Sequence, residues 1–144
     1  MMNKNILYRL IKLDLTQFAT FENAFKDDDS PLELSSAFRF SYNFDDKVVS
    51  CTTSVIITKN SAPILKAELD SYFNIQSESV AEMMEHDCLL LPTGLMTQFA
   101  SLGYGSMRGV LYAKTMGTPL EKIILPPNNI RDLFTTPVKF CKSK

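Results

Sequence analysis

The stretch LMTQFASLGYGSMRGVLYAKTM, Leu95 to Met116, decides the fold, because it reads as the only long helix of the chain. Within it Ser101, Gly105, Gly109 and Ala113 recur every four residues. They line one flank of a helix, where another backbone can come close. Gly103, Gly105 and Gly109 each weaken a helix by about 0.8–1 kcal/mol relative to Ala, so roughly 2.5–3 kcal/mol has to be recovered by contacts that larger side chains would block. Phe99, Leu102, Met107 and Val110 follow helical spacing elsewhere on the cylinder, so more than one face is apolar. Two covers are open: the helix's own sheet supplies all of it, or another subunit covers the second side. Thr93 can cap the helix, and Gly117 and Pro119 mark its end.

Upstream the pattern changes period. Phe38, Phe40, Tyr42 and Phe44 alternate with Arg39, Ser41 and Asn43, which places four aromatics on one sheet face. Asp45-Asp46-Lys47 supplies a turn, and Val48 to Thr58 is a β-branched strand with Val49, Cys51, Thr53, Val55 and Ile57 on one side. After Asn60-Ser61-Ala62-Pro63, Leu65, Ala67, Leu69 and Phe73 give a further strand over Ile64 to Ile75. The first strand, about Leu7 to Thr20, puts Leu7, Ile11, Leu13 and Leu15 on one face, with Ile6, Tyr8 and Leu10 making its beginning apolar on both. Asp27-Asp28-Asp29-Ser30-Pro31 is an acidic loop that crosses an edge. Val80, Met83 and Met84 suggest a helical turn or two, and Asn129 caps a short helix through Ile130, Leu133 and Phe134 that Pro137 ends. Four strands followed by two helices imply a two-layer α+β fold, the helices on one face of an antiparallel sheet.

At 144 residues the chain fits one domain, 1–144, and buries about 68–70% of its unfolded surface. Lys+Arg 15 against Asp+Glu 16 leaves a net charge of −1, and basic residues are scattered until Lys139, Lys142 and Lys144. That is no footprint for nucleic acid. Arg9, Lys12 and Asp14 interrupt the apolar start, so it is a strand and not a signal segment. No apolar run reaches the roughly 18 residues that cross a bilayer. Cys51, Cys88 and Cys141 form an odd set without C-x-x-C spacing, which suits reduced thiols and a cytoplasmic location.

The order of elements, together with particular residues, resembles the bacterial export chaperone SecB and its SecB-like relatives. The resemblance covers most of the chain. It rests on Phe44 before the hairpin, Tyr72-Phe73-Asn74-Ile75, Leu90-Leu91-Pro92, Ser106-Met107-Arg108-Gly109, and Leu125-Pro126-Pro127-Asn128 through Leu133-Phe134. It implies a sheet ordered 1-4-3-2 and a homotetramer built as a dimer of dimers, with long helices between dimers. It also implies apolar grooves that hold unfolded or preprotein polypeptide for export, without cofactor or ATP. Phe38, Phe40, Tyr42, Phe44, Tyr72 and Phe73 are then candidates for client binding. The same aromatics also fit an ordinary core. Leu7, Ile11, Ser101, Gly105, Gly109 and Ala113 are candidates for the self-interface. Exporting members dock the SecA motor through acidic surfaces, whereas this chain has a mild charge, a basic tail and Lys66 near a docking position. That counts against SecA as a partner and leaves Asp27, Asp28, Asp29, Asp45 and Asp46 either as docking candidates or as solvated loop charges.

Enzyme readings are thin. His86 is the only histidine, and Glu85-His86-Asp87-Cys88 points its side chains in different directions, with no second ligand pair to complete a metal site. No separate base serves Cys88 as a nucleophile, and Gly103-Tyr104-Gly105 lacks the Lys-Ser/Thr of a phosphate loop. The chain is therefore read as a non-enzyme. Either it is a holdase, for export or for a dedicated partner such as an antitoxin, or it is a SecB-like interaction module without general clients.

Overall fold

The computed structural model describes residues 5–143; Lys144 of the basic tail lies outside them. Strands β1 (Tyr8–Thr20), β2 (Leu32–Asn43), β3 (Val48–Lys59) and β4 (Ala62–Ile75) form an antiparallel sheet in the order β1-β4-β3-β2. Helices α1 (Ser77–Met83) and α2 (Thr93–Thr115) follow. Short strands β5 (Met84–Glu85), β6 (Cys88–Leu91) and β7 (Val138–Cys141) make a second sheet in the order β5-β6-β7. The α+β class and the 1-4-3-2 order are those expected.

Alternation fixes the register. Phe38, Phe40 and Tyr42 of β2 stand opposite Thr53, Cys51 and Val49 of β3, which pair on with Leu69, Ser71 and Phe73 of β4. One face is thereby mostly apolar across three strands, with Thr53 and Ser71 as buried hydroxyls at its middle. Asn60 and Ser61, with φ of 54° and 66°, turn β3 into β4 as a two-residue hairpin, the conformation whose twist matches the strands. The connection from β1 to β2 passes from one edge to the other beyond that turn. Its start is tied by the Phe21 amide donating to the Ile64 carbonyl at 2.9 Å.

Helix α2 lies along the middle of the apolar face, burying Leu95, Met96, Phe99, Ala100, Tyr104, Met107 and Leu111 against β3 and β4. Phe99 stacks on Phe73 at 4.1 Å between ring centroids, and Tyr8 meets both rings edge-on. At Gly103 the helix comes closest to the sheet, because an added Cβ would sit 2.6 Å from Thr53 Oγ1. Gly105 and Gly109 are different. A Cβ on either would meet nothing within 4 Å, so the chain's own sheet covers only one of the three glycines.

Several expectations change. The helix begins at Thr93 itself, without a side-chain cap, and the Thr93 carbonyl instead accepts from Thr97 Oγ1 at 2.9 Å. Its end is as read: Gly117 adopts φ 80°, and Thr118 caps a 3-10 turn over Pro119–Lys122. Residues 129–137 form no helix. Ile130 is buried and the Leu133 amide bonds its carbonyl, but one turn is all that forms before the chain extends into β7. In β1, irregularities between Leu10 and Lys12 and between Leu15 and Gln17 shift the alternation. Leu10, Leu13 and Leu15 face the helix side opposite Phe73, Ser71 and Leu69, while Ile11 joins Lys12 and Tyr72 in a depression of about 820 Å³ on the outer face. Ile11 and Leu13 therefore do not share a face; an extra residue at a bulge flips everything beyond it. Cys88 and Cys141 are not reduced thiols. They stand opposite each other in the β6–β7 ladder and are joined as a disulfide. This removes one premise of the cytoplasmic expectation. Cys51 alone is free, and burial beneath α2 pushes its thiol up to about 12.

Candidate functional site

Because α2 occupies the middle of the apolar face, the inner surfaces of the two outer strands extend past it. On the β1 side Leu10 and Leu13 are 40% and 43% exposed. On the β2 side Phe38, Phe40 and Tyr42 are half-buried, covered by the C-terminal segment and not by a helix. The Phe134 ring packs edge-on to Phe38 at 6.2 Å and to Phe40 at 5.5 Å. Phe140 of β7 lies 6.2 Å from Tyr42, whose other edge meets Phe44 at 4.7 Å. The strip continues along β2 to Leu34. There a cleft of about 260 Å³ opens between Leu32, Leu34, Ile57, Ile124 and Pro126.

The covering segment is tied down at its start by α2. Arg108 Nε donates to the Leu125 carbonyl at 2.9 Å and Tyr104 Oη to the Pro126 carbonyl at 2.7 Å. Two of the stretches on which the resemblance rested, Ser106 to Gly109 and Leu125 to Asn128, thus meet through side-chain-to-backbone bonds. Asn128 Nδ2 adds a bond to Ser36 Oγ on β2 at 3.1 Å. No periodicity announces such contacts, because the accepting groups are carbonyls that every residue possesses.

The six aromatic candidates do not form one surface. Phe38, Phe40, Tyr42 and Phe44 line the strip, whereas Phe73 is 0% exposed and belongs to the core under Phe99. Tyr72 projects from the opposite, outer face, where Asp70 accepts from Thr52 Oγ1 at 2.5 Å and Lys12 Nζ lies 5.4 Å from the Tyr72 ring centroid. The interface candidates of α2 are brought together. Ser101, Gly105, Gly109 and Ala113 are all exposed along one flank, bordered by Leu102, Tyr112 and Met116 at 44%, 53% and 61% exposure. Leu7 is exposed just before β1, its amide bonding Ser79 Oγ.

The acidic loop is largely engaged within the chain. Asp27 pairs with Lys122 Nζ at 2.7 Å, which draws its carboxyl below the usual range. Asp28 accepts from the Ser30 amide and sits 3.1 Å from Lys59 Nζ. The Ser30 bonds, then Lys59, lower its carboxyl from the ordinary 3.8 to about 2. Lys59, only 4% exposed, also donates to the Asp28 and Ser30 carbonyls at 3.1 and 3.0 Å and faces the Phe25 ring. Sequence reading missed it, since a lysine ending a strand looks like an ordinary solvated residue. Asp45 and Asp46 sit exposed in the β2–β3 turn, where the Asp46 amide bonds Asn43 Oδ1 at 3.0 Å. Asp29 is exposed and is not drawn into either ion pair.

A pH prediction follows from Asp28. Its folded carboxyl titrates lower than the free one, so the interaction is complete above about pH 4 and is lost as pH falls through about 2. In a carboxyl NMR titration the Asp28 midpoint is expected near 2 in the native chain and higher, though short of normal, after Lys59→Met, because the Ser30 bonds remain. An unshifted native midpoint would refute the Ser30 and Lys59 interactions of Asp28.

Among the described residues no group of three or more His, Cys, Asp or Glu is placed to hold a metal ion, and no helix is long and apolar enough to cross a membrane. His86 adopts φ 59° in the β5–β6 turn. No protein-family model and no curated protein matches the chain. Among solved structures the fold is SecB-like. It is similar to that of the SecB-like chaperone Rv1957 of Mycobacterium tuberculosis, solved in complex with a ChAD peptide from the HigA1 antitoxin Rv1956. The TM-score is 0.56 at 10% sequence identity, over 85% of this chain and 88% of the other. At that identity the likeness is one of fold.

Proposed function

We propose that the chain, acting as one domain over residues 1–144, is an ATP-independent holdase that binds unfolded or incompletely folded polypeptide along the inner face of β2. The observation that carries this reading is the strip Phe38, Phe40, Tyr42 and Phe44, four aromatics outside the helix-covered core, the first three of which already pack against rings of the C-terminal segment. Burial of such rings supplies affinity without sequence-specific bonds, at about 25 cal/mol per Å² of apolar area. The structural neighbour's complex with a ChAD peptide supports the same use of the fold. It also favours a dedicated chaperone of the toxin–antitoxin type over an exporter. So does the acidic loop, because Asp27 and Asp28 are already paired with Lys122 and Lys59 and are poor docking groups for the basic tail of SecA.

Self-association completes the reading. The bare stripe Ser101, Gly105, Gly109 and Ala113, with Leu102, Tyr112 and Met116 beside it, is a saddle that a second copy's helix can fill. Leu10 and Leu13 on the open edge of β1 extend the apolar area, giving a homo-oligomer, a dimer of dimers, in the cytoplasm.

The test is suppression of aggregation of a chemically unfolded client, measured without ATP and again with EDTA. Activity is expected in both, and Phe38→Ser with Phe40→Ser is expected to weaken it at least about tenfold, roughly 1.4 kcal/mol of lost apolar contact. Activity that depends on nucleotide or is lost on chelation would overturn the proposal, as would full activity in the double variant. Binding should also survive salt that shortens the Debye length from about 10 Å to about 3 Å.

A further inference from the structure

The segment over the aromatic strip has a second tether besides the α2 bonds, and it is covalent. Residues 123–137 form neither helix nor strand, and beyond them β7 pairs with β6 over four residues only, Val138 opposite Leu91 and Cys141 opposite Cys88. The Cys88–Cys141 disulfide closes that end. Cys141 is exposed and Cys88 half-buried, so the bond is open to attack from solvent. Phe134 is itself only half-buried on the strip, and Leu133 beside it is 54% exposed. The cover is thus an irregular segment running into β7, with two aromatic anchors, Phe134 and Phe140, six residues apart.

Resting on the reading of β2 as the polypeptide site, we infer that Phe134 to Phe140 is an intramolecular occupant of that site, and that the Cys88–Cys141 disulfide latches it there. A dithiol reductant opens the latch. Its thiolate attacks one sulfur, its second thiol resolves the mixed disulfide, and two electrons and two protons leave Cys88 and Cys141 as thiols while the reductant becomes a disulfide. The segment is then held at that end by the four-residue ladder and the Lys142 amide's bond to the Asp87 carbonyl at 3.2 Å, and the strip is available to an external chain for a larger fraction of the time. The apparent dissociation constant is the intrinsic one divided by the fraction of molecules in the binding-competent state, so release strengthens client binding without any new contact. The occupant also describes the preferred client: an extended segment carrying two aromatic residues about six positions apart.

The probe is a fluorescent peptide copying residues 129–141 with Cys141→Ser, titrated by anisotropy into the full chain. The oxidised protein, the same protein after dithiothreitol, and Cys88→Ser/Cys141→Ser are compared, with intact mass reporting the bond and far-UV circular dichroism the fold. Reduction is expected to tighten binding about tenfold or more. The double variant should match the reduced protein and ignore dithiothreitol, and a peptide with both phenylalanines changed to serine should bind none of them. Equal, measurable affinity in oxidised and reduced protein would overturn the latch and leave the strip as a client site. Peptide binding in neither state, including a Phe134→Ser chain whose cover is weakened, would overturn the strip itself. Loss of the dichroism signal on reduction would show the bond to be structural and likewise end the latch proposal.

Discussion

Gly103→Leu is expected to disrupt the packed fold, while Gly109→Leu is expected to leave each chain folded and abolish its self-association. The two positions lie six residues apart on one helix and differ only in what they face. At Gly103 even a single added carbon falls 2.6 Å from Thr53 Oγ1, closer than nonbonded atoms allow, with Ser71 Oγ in ordinary contact at 3.5 Å. A leucine there must lift α2 from β3 and β4 or force Thr53 off its rotamer, and overpacking of that kind costs typically about 1–3 kcal/mol and occasionally more. Urea unfolding of Gly103→Leu should show a lower midpoint, with the loss exceeding the roughly 0.8–1 kcal/mol that a strong helix former gains over glycine in a helix. At Gly109 nothing lies within 4 Å, so the same helix gain, about 0.8–1 kcal/mol, should appear as added stability of the single chain. Its side chain would fill the saddle reserved for a second copy. Sedimentation decides the matter: native chain that runs as a monomer at micromolar concentration, or Gly109→Leu that assembles normally, removes the proposed interface.

That contrast also shows where sequence reading stops. Spacing placed Gly103, Gly105 and Gly109 on one helix, but spacing alone does not say which glycine meets the sheet. The strands were legible because a half-buried sheet imposes a period of two: Phe38 to Tyr42 and Val49 to Ile57 read cleanly and pair as read, while Phe44 falls just past β2 in the turn. In β1 the same reasoning failed beyond Leu10, since a bulge leaves no mark in composition yet puts Ile11 and Leu13 on opposite faces. The C-terminal helix failed for another reason. Ile130, Leu133 and Phe134 have helical spacing, but Ile130 is drawn into the core and Phe134 onto Phe38 and Phe40, and those long-range contacts outweigh a weak local preference over so few residues.

The site was half legible. Four aromatics on one strand face were evident, but their cover was not, because Phe134 and Phe140 lie about a hundred residues downstream and only the tertiary fold brings them over β2. The disulfide was hidden by the same distance. Cys88 and Cys141 are separated by 53 residues, and only the β6–β7 ladder puts them opposite each other. Lys59 looked like a surface charge and proves to be the residue on which the acidic loop closes.

Phe99→Ala should bring a loss of stability comparable with any single change in the chain, and it separates the core from the strip. Phe99 is fully buried, stacked on Phe73 at 4.1 Å and met edge-on by Tyr8 at 4.8 Å, while Tyr8 Oη donates to Gln98 Oε1 at 2.8 Å. These contacts join α2, β4 and the start of β1 through one set of rings. Truncation removes the ring's transfer energy and leaves a cavity that neither a β-strand nor a helix can close, for a cost of roughly 3–5 kcal/mol. For a chain of this size the melting temperature is expected to fall by roughly 10–15 °C. A cycle pairing Phe99→Leu with Tyr8→Leu should show coupling of about 0.5–1.5 kcal/mol from the edge-on contact, beyond the area each ring buries. Because Tyr8 opens β1, loss of this anchor should also weaken self-association through Leu10 and Leu13. The aromatic strip lies on the other side of α2 and shares no ring contact with Phe99, so peptide binding to Phe99→Ala should persist at temperatures where the variant is still folded. Phe40→Ser should behave conversely, with the larger loss in binding and the smaller in stability, since Phe40 is only half-buried. If Phe99→Ala loses binding in step with Phe40→Ser while remaining folded, the strip and the core are one unit, and the division of the apolar face by α2 is wrong.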